Sequence, residues 1–126
     1  MRIGTYRLMR QINGHGAFGE VHLAVHCSQD SAEPQVMWAA DGTRGNGYPE
    51  NVAAAFEGVS LGLSLVESLG VSIHHRVVQI TFIGITEVDT EPSAVRAAAT
   101  AAVVRAFGLE GMCELVHDGE WHYVAR

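Results

Sequence analysis

The segment RVVQITFI, residues 76–83, is rich in β-branched and aromatic side chains and contains few polar ones. Such a run is typical of a strand in the middle of a sheet that is covered on at least one face. It lies between two longer segments that show the three-and-four spacing of helices with one buried stripe. A central strand flanked in the chain by two helices predicts layered α and β structure in one domain, residues 1–126.

The two predicted helices have recognisable ends. The first begins near Pro49, ends before Gly70, and has one apolar stripe made of Val52, Ala55, Phe56, Val59, Leu63, Val66 and Leu69. The second lies within residues 89–108, with Asp89 and Thr90 as capping candidates and Pro92 in its first turn. Its stripe consists of small residues, which allow close packing on a sheet: Val95, Ala98, Ala99, Ala102 and Ala106.

The remaining elements are predicted strands. Alternating side chains indicate strands at residues 6–12 and 18–27 around a glycine turn at 14–16, and a third strand at 35–40. Residues 41–49 read as a loop because of their glycines. The segment CELVHDGEWHYVA, residues 113–125, predicts a hairpin around Asp118 and Gly119. The order of elements predicts an α+β fold with both helices on one face of the sheet.

The stretch NGHGAFGEV, residues 13–21, has the spacing of a protein-kinase glycine loop, which folds over nucleotide phosphates. A kinase also needs a lysine on its third strand and metal-binding motifs further on. All eight basic residues of this chain are arginines, and neither H-R-D nor D-F-G occurs. We therefore interpret these glycines as a hairpin turn, where they supply positive φ, and expect no bound nucleotide.

The composition is that of an ordinary globular domain, with 48% hydrophobic and 17% charged residues. The formal net charge of −6 argues against broad binding to phosphate backbones, which depends on clustered basic side chains. The N-terminus lacks an apolar signal core, and no apolar run reaches the ~18 residues of a membrane helix. We therefore expect a cytoplasmic protein without membrane contact, in which Cys27 and Cys113 are reduced.

Four motifs in a fixed order resemble domain IV of translation elongation factor G. They are the glycine hairpin NGHGAFGEV (13–21), the helix start YPENVAAAFEGV (48–59), the strand VVQITFI (77–83), and TEVDTEP (86–92) followed by the alanine-rich AVRAAATAAVVRA (94–106). In that family the corresponding motifs are a glycine hairpin, a helix, a strand, and an H-x-V-D-S-S-E segment that opens an alanine-rich helix. The resemblance covers residues 12–108.

The resemblance implies the fold named after the second domain of ribosomal small-subunit protein five. That fold has a sheet of four to six strands, two helices on one face and a left-handed crossover. In the full-length factor, loops at the tip of this domain contact transfer RNA and messenger RNA. The first tip loop would consist of Asn13, Gly14, His15, Gly16 and Ala17, next to Phe18. The second would be residues 84–89, including Thr86, Glu87 and Asp89.

The chain also departs from the family. It contains no GTP-binding domain, so we expect neither GTPase nor translocase activity from it. Thr86 stands where the family usually has histidine, and His15 stands where arginine is common, which removes a fixed charge and a bidentate phosphate donor. Asp89 has a second interpretation as the cap of the helix that follows it.

Seven histidines raise the question of a metal site. His22 and His26 lie four residues apart on a predicted strand, about 13 Å, which is too far to bind one ion. In the last hairpin, a two-residue turn would pair His117 with Glu120 and place His122 on the same face, about 7 Å away. Two imidazoles and a carboxylate can bind zinc or iron. The favoured interpretation is a solvated hairpin face without metal, and no cofactor is predicted.

The other face of that hairpin would carry Val116, Trp121 and Tyr123, which we expect to pack on the body of the domain. Nucleophilic catalysis would need a cysteine or serine beside a positioned base. His26 precedes Cys27, but neighbouring residues of a strand point to opposite faces. No pattern in the chain requires an enzyme.

Three functions remain open at this point. The favoured one is a non-catalytic domain that binds the ribosome, RNA or a translation-related protein through its tip loops. The second is a protein-interaction or dimerisation domain that has kept the fold without RNA binding, which the acidic balance supports. The third is an enzyme on the same scaffold that depends on a metal or a small molecule. The identity of the partner and the oligomeric state stay open.

Overall fold

The computed structural model describes residues 1–12, 14–40, 48–86 and 89–126. Within them, six strands and two long helices follow one another: β1 Arg2–Ile12, β2 His15–Cys27, β3 Gln35–Trp38, α1 Pro49–Ser68, β4 Arg76–Gly84, α2 Pro92–Ala106, β5 Cys113–His117 and β6 Trp121–Ala125. A short 3-10 turn, Glu110–Met112, precedes β5. This order confirms the predicted α+β class.

The first four strands form a mixed sheet in the order β1-β2-β4-β3. The β1–β2 and β2–β4 pairs are antiparallel, whereas β3 and β4 are parallel. The strand β4 is therefore an interior strand, as its β-branched sequence predicts. Because α1 connects β3 to its parallel neighbour β4, this helix is the crossover of the fold. The strands β5 and β6 form a separate two-stranded sheet.

Both helices cover the same face of the four-stranded sheet, as predicted. Gly4 of β1 lies against the backbone of Ala102 in α2, and Gly19 of β2 lies against the start of the same helix. On β3, the Trp38 ring stacks on Phe56 of α1 with 6.4 Å between ring centroids. Along residues 16–23 of β2, the alternate side chains point to these helices and are buried, and those between them are half-buried on the opposite face. The core therefore lies on one side of the sheet.

The helix α2 lies at the centre of the domain. Twelve of its fifteen residues are buried, including every member of its predicted stripe. It can lie so close to its neighbours because its side chains are small. The face of α1 that packs on α2 contains Gly58 and Gly62. The spacing of hydrophobic residues does not predict that these two glycines are at the contact. A Cβ at Gly58 would overlap the carbonyl oxygen of Arg96.

The predicted end of α1 is confirmed, whereas the predicted cap of α2 is not. Gly70 has a φ of 94° directly after α1, so it ends this helix as predicted. The N-cap residue of α2 is Glu91. The capping interpretation of Asp89 and Thr90 is therefore wrong, because both lie before the cap. No helix of the described residues is long and apolar enough to cross a membrane.

The last hairpin has a different register from the predicted one. His117 pairs with Trp121, so the loop holds the three residues Asp118, Gly119 and Glu120 instead of two. As a result Leu115, Trp121 and Tyr123 share the face that packs against the core, while Val116 pairs with His122 on the other face. The prediction that Val116 belongs to the packed face is wrong, and the extra loop residue is the reason.

Candidate functional site

The hairpin between β1 and β2 has a tighter turn than predicted. Ile12 pairs with His15, so only two residues connect the strands. Gly14 has a φ of 81°, which glycine adopts without strain; Asn13 lies outside the described residues. His15, Gly16 and Ala17 belong to β2, so their assignment to a loop is wrong. The interpretation of the glycines as a hairpin turn with positive φ is confirmed for Gly14, whereas Gly16 and Gly19 lie within β2 and have no positive φ.

The segment before α2 is bound to the start of β2 by one backbone hydrogen bond and one bond from a side-chain hydroxyl. The Phe18 N–H donates to the Asp89 carbonyl oxygen at 3.0 Å, and the Thr90 hydroxyl donates to the Phe18 carbonyl oxygen at 2.9 Å. The same hydroxyl accepts the Thr86 N–H at 2.8 Å. The two predicted tip loops therefore meet at one end of the sheet. We call this end, formed by residues 14–18, Thr86, Asp89 and Thr90, the tip.

The carboxylate of Asp89 lies directly on Gly16. A Cβ at Gly16 would be only 2.8 Å from Asp89 Oδ2. The backbone N–H of Asp89 donates to the Thr86 hydroxyl at 3.0 Å, which holds this turn in place. The absence of a side chain at position 16 thus allows the close contact between the two loops. Glu87, the other acidic residue of the predicted second loop, lies outside the described residues.

We expect Thr90→Val to loosen the tip. The substitution keeps the shape of the side chain but removes the hydroxyl that bonds both Thr86 and Phe18. The free energy of unfolding should fall by about 1–3 kcal/mol, the usual cost of leaving such groups unbonded. Thr5→Val is the matched control, because Thr5 is an exposed residue of β1. Equal urea midpoints for the two variants would contradict this role of Thr90.

A cleft of about 300 Å³ separates the tip from the last hairpin. Its polar lining consists of two imidazoles, His15 and His117, and two carboxylates, Asp89 and Glu91, together with Thr90. Trp121 is also part of the lining, with 4.6 Å between its ring centroid and that of His117. Sequence reasoning treated His117 only as a metal candidate. The fold places it beside the tip, because β5 runs toward this end of α2.

The candidate metal ligands His117, Glu120 and His122 do not form the predicted group. His117 pairs with Trp121 and His122 with Val116, so the two imidazoles lie on opposite faces of the hairpin. The His122 ring instead contacts Asp118 Oδ1 at 3.0 Å. In the described parts of the chain, no three histidine, cysteine or acidic side chains are close enough to share a metal ion. The predicted geometry is therefore wrong.

The loop of this hairpin has one shifted pKa. The backbone N–H of Glu120 donates to the Asp118 carboxylate at 3.4 Å, and this bond lowers the pKa of Asp118 below its ordinary value. The neighbouring His122 and His117 lower it further. Asp118 is thus ionised near neutral pH and serves to orient His122.

A second groove of about 660 Å³ runs along the other side of the tip. It is lined by Phe18, Thr86 and Asp89, and also by Met9 and Arg10 of β1. Sequence reasoning did not assign Met9 and Arg10 to the tip. The hairpin register was the signal that could have found them, because Met9 pairs with Phe18 and Arg10 with Ala17.

The tip has little positive charge. Of the described residues that line the cleft and the groove, Arg10 is the only one with a permanent positive charge, and Asp89 and Glu91 are acidic. The Arg10 guanidinium donates to the Met9 carbonyl oxygen at 3.1 Å and is otherwise exposed. A ligand of this surface therefore meets aromatic, imidazole and backbone groups more than cations.

The two cysteines do not form a reactive site with a histidine. Both thiols are free, and Cys113 is buried whereas Cys27 is exposed. Burial raises the pKa of the Cys113 thiol, which lowers its nucleophilicity at neutral pH. The Cys27 sulfur accepts a hydrogen bond from Arg76 at 3.3 Å, and His26 points to the other face of β2.

Comparison with known proteins gives information about the fold. No protein-family model and no curated protein matches this chain. The crystal structure of a protein from Thermus thermophilus is similar over 82% of the chain, with a TM-score of 0.69 and 22% sequence identity. This domain spans 15% of the length of that protein. At this level of identity the similarity shows a shared fold.

Proposed function

We propose that this chain is a non-catalytic domain of the elongation factor G domain IV type that binds ribosomal RNA through its tip. The proposal combines the four sequence motifs that resemble that family with the arrangement of the two tip loops. It is supported by the fold, in which a crossover helix and an alanine-rich helix cover one face of a mixed sheet.

The observation that carries the proposal is the junction between the start of β2 and the segment before α2. The bond from Thr90 to Phe18 joins residues that are 72 apart in the sequence, and the bond from Phe18 to Asp89 joins the same two segments. A binding surface that depends on two separate segments needs such a junction, because a segment that moved freely would lose entropy on binding. The Asp89 carboxylate also lies directly on Gly16, which has no side chain, so the two segments can pack closely at this junction.

The chemistry of the tip favours contacts to unpaired bases over contacts to phosphates. The Phe18 side chain is half-buried and lies on the face of the sheet away from the helices, opposite Met9. Aromatic side chains and imidazoles stack on the bases of single-stranded RNA. Salt-dependent binding to phosphates comes from cations, and among the described tip residues only Arg10 supplies a permanent positive charge. We therefore infer weak binding with a small salt dependence.

The alternative is a protein-interaction or dimerisation domain that does not bind RNA. Two observations favour it: the carboxylates of Asp89 and Glu91 at the tip, and the exposed apolar side chains on the open face of β1. Ile3 and Met9 of that strand are each 61% exposed. This surface would suit a protein better than a nucleic acid.

Co-sedimentation with ribosomes over a series of salt concentrations distinguishes the two functions. Phe18→Ala should weaken binding several-fold, because a stacked base contributes about 1–3 kcal/mol. Arg10→Gln should make the slope of log K against the logarithm of the salt concentration shallower by roughly 0.7–0.9, the value for one phosphate contact. Met37→Ala is the control, because Met37 is 47% exposed on β3, away from the tip.

Two outcomes would contradict RNA binding by the tip. One is a binding constant that falls steeply with salt in the wild type and equally steeply in Arg10→Gln. In that case the RNA would be bound by another charged surface of the domain. The other is binding that Phe18→Ala and Met37→Ala affect equally. Absence of binding at low salt would favour the protein-interaction function.

A further inference from the structure

The last strand, β6, has one edge that is not used by its own sheet. Trp121 shows the direction of this edge: its N–H donates to the Ser93 hydroxyl at 3.1 Å, and its carbonyl oxygen accepts a bond from Arg96 at 3.1 Å. Both partners belong to α2, so the backbone groups of Trp121 point away from β5. In an antiparallel pair, this direction repeats at every second residue.

The same alternation leaves the backbone groups of Tyr123 and Ala125 pointing outward. The next residue along the chain fits this alternation: the Arg126 N–H points toward β5, where it donates to the Met112 carbonyl oxygen. Unlike Trp121, Tyr123 and Ala125 receive no bond from a side chain or turn of the described residues. An open edge of this kind can pair with another extended chain.

This edge borders a groove of about 390 Å³ between β6 and α1. Arg96, Ala97 and Thr100 of α2 form its floor, and Leu61 and Leu65 of α1 form its far wall. At its opening, Leu61 is 48% exposed and Val124 is 38% exposed. The strand has five residues, about 17 Å at 3.3 Å per residue, which is enough to pair with a short extended segment.

Carboxylates stand beside the groove. The Arg96 guanidinium in the floor lies 3.8 Å from Glu57 and 3.7 Å from Glu120. Both carboxylates have side chains more than 60% exposed, so each can also meet a cation from outside. The chain as a whole carries a formal charge of −6. A second copy of this domain would bring like charges together here, whereas a basic segment would be attracted.

We propose that this groove binds an extended peptide segment of a partner protein, which adds to β6 as a third strand. The peptide backbone bonds to Tyr123 and Ala125, its apolar side chains contact Leu61 and Leu65, and flanking lysine or arginine residues meet Glu57 and Glu120. Strand addition provides affinity through the main chain and specificity through alternate side chains. This site lies apart from the tip and does not depend on RNA binding there.

Selection from a displayed library of random octapeptides tests the proposal directly on the full chain. The selected peptides should have alternating apolar residues and basic ends. On binding, the amide hydrogens of Tyr123 and Ala125 should exchange more slowly with solvent. Ala125→Pro removes one outward donor without touching the bonds to β5, and should weaken binding roughly three- to tenfold.

A second variant keeps the test valid if the proline disturbs the hairpin. Leu61→Gln replaces an exposed helical side chain and should weaken binding about tenfold through lost apolar contact. Met112→Gln is its control, because Met112 is 50% exposed and outside the groove, and it should leave binding unchanged. The proposal is overturned if no peptide is enriched, or if neither groove variant weakens the selected peptides. It is also overturned if the protein forms a dimer that Ala125→Pro dissociates, because a second copy would then occupy this edge.

Discussion

Ala102→Asp is expected to unfold the domain. Ala102 is fully buried in α2, and its carbonyl oxygen lies where a Cβ of Gly4 would be, directly against β1. An unpaired carboxylate at this position costs several kcal/mol, a large part of the roughly 5–15 kcal/mol that stabilises a domain. Circular dichroism during heating should show no cooperative transition near that of the wild type.

Two controls separate this effect from the general cost of a mutation. Ala53→Asp makes the same chemical change on the exposed side of α1 and should change the melting temperature little. His15→Ala changes an exposed residue next to the hairpin turn and should also leave the fold intact. If Ala102→Asp melts like either control, the central position of α2 is wrong.

Gly58→Ala is expected to destabilise the protein, although alanine is the better helix former. Helix propensity alone predicts a gain of about 1 kcal/mol. The added Cβ would overlap the carbonyl oxygen of Arg96 and lie 2.8 Å from the Ala99 Cβ. It would also disturb the bond of 2.8 Å from the Thr100 hydroxyl to the Gly58 carbonyl oxygen. Because backbone atoms cannot rotate away, we expect a net loss of about 1–3 kcal/mol.

Urea unfolding measures the sign of this effect. Gly58→Val should be worse than Gly58→Ala, because a larger side chain forces α1 and α2 further apart. Gly111→Ala is the control, since a Cβ at Gly111 meets no atom within 4 Å. A stabilised Gly58→Ala protein would mean that the helices do not pack at this glycine.

Local patterns predicted the elements of this fold well. The β-branched run 76–83 is an interior strand, Gly70 ends α1 with a positive φ, and the alanine stripe of α2 is buried. These features depend on residues close together in the sequence. The close contact of α1 with α2 was not predictable in the same way, because Gly58 and Gly62 have no hydrophobic side chain to show which face is buried.

The candidate site was predicted only in part, and the reason is similar. The hydrogen bond between Thr90 and Phe18 spans 72 residues, and no local pattern encodes it. The position of His117 depends on whether Glu120 belongs to the loop or to β6. A single extra residue in that loop reverses the faces of β5 relative to β6, so His117 and Val116 were each assigned to the wrong face.

Photo-crosslinking from the tip tests most directly whether this domain binds RNA there. A benzophenone amino acid replaces His15 at the tip in one variant and Met37 on β3 in another, and each is irradiated with ribosomes at low salt. We predict crosslinks to ribosomal RNA from position 15 that exceed those from position 37, and that Phe18→Ala reduces them. Equal RNA crosslinking from both positions, or crosslinks from position 15 to proteins alone, would contradict the proposed function.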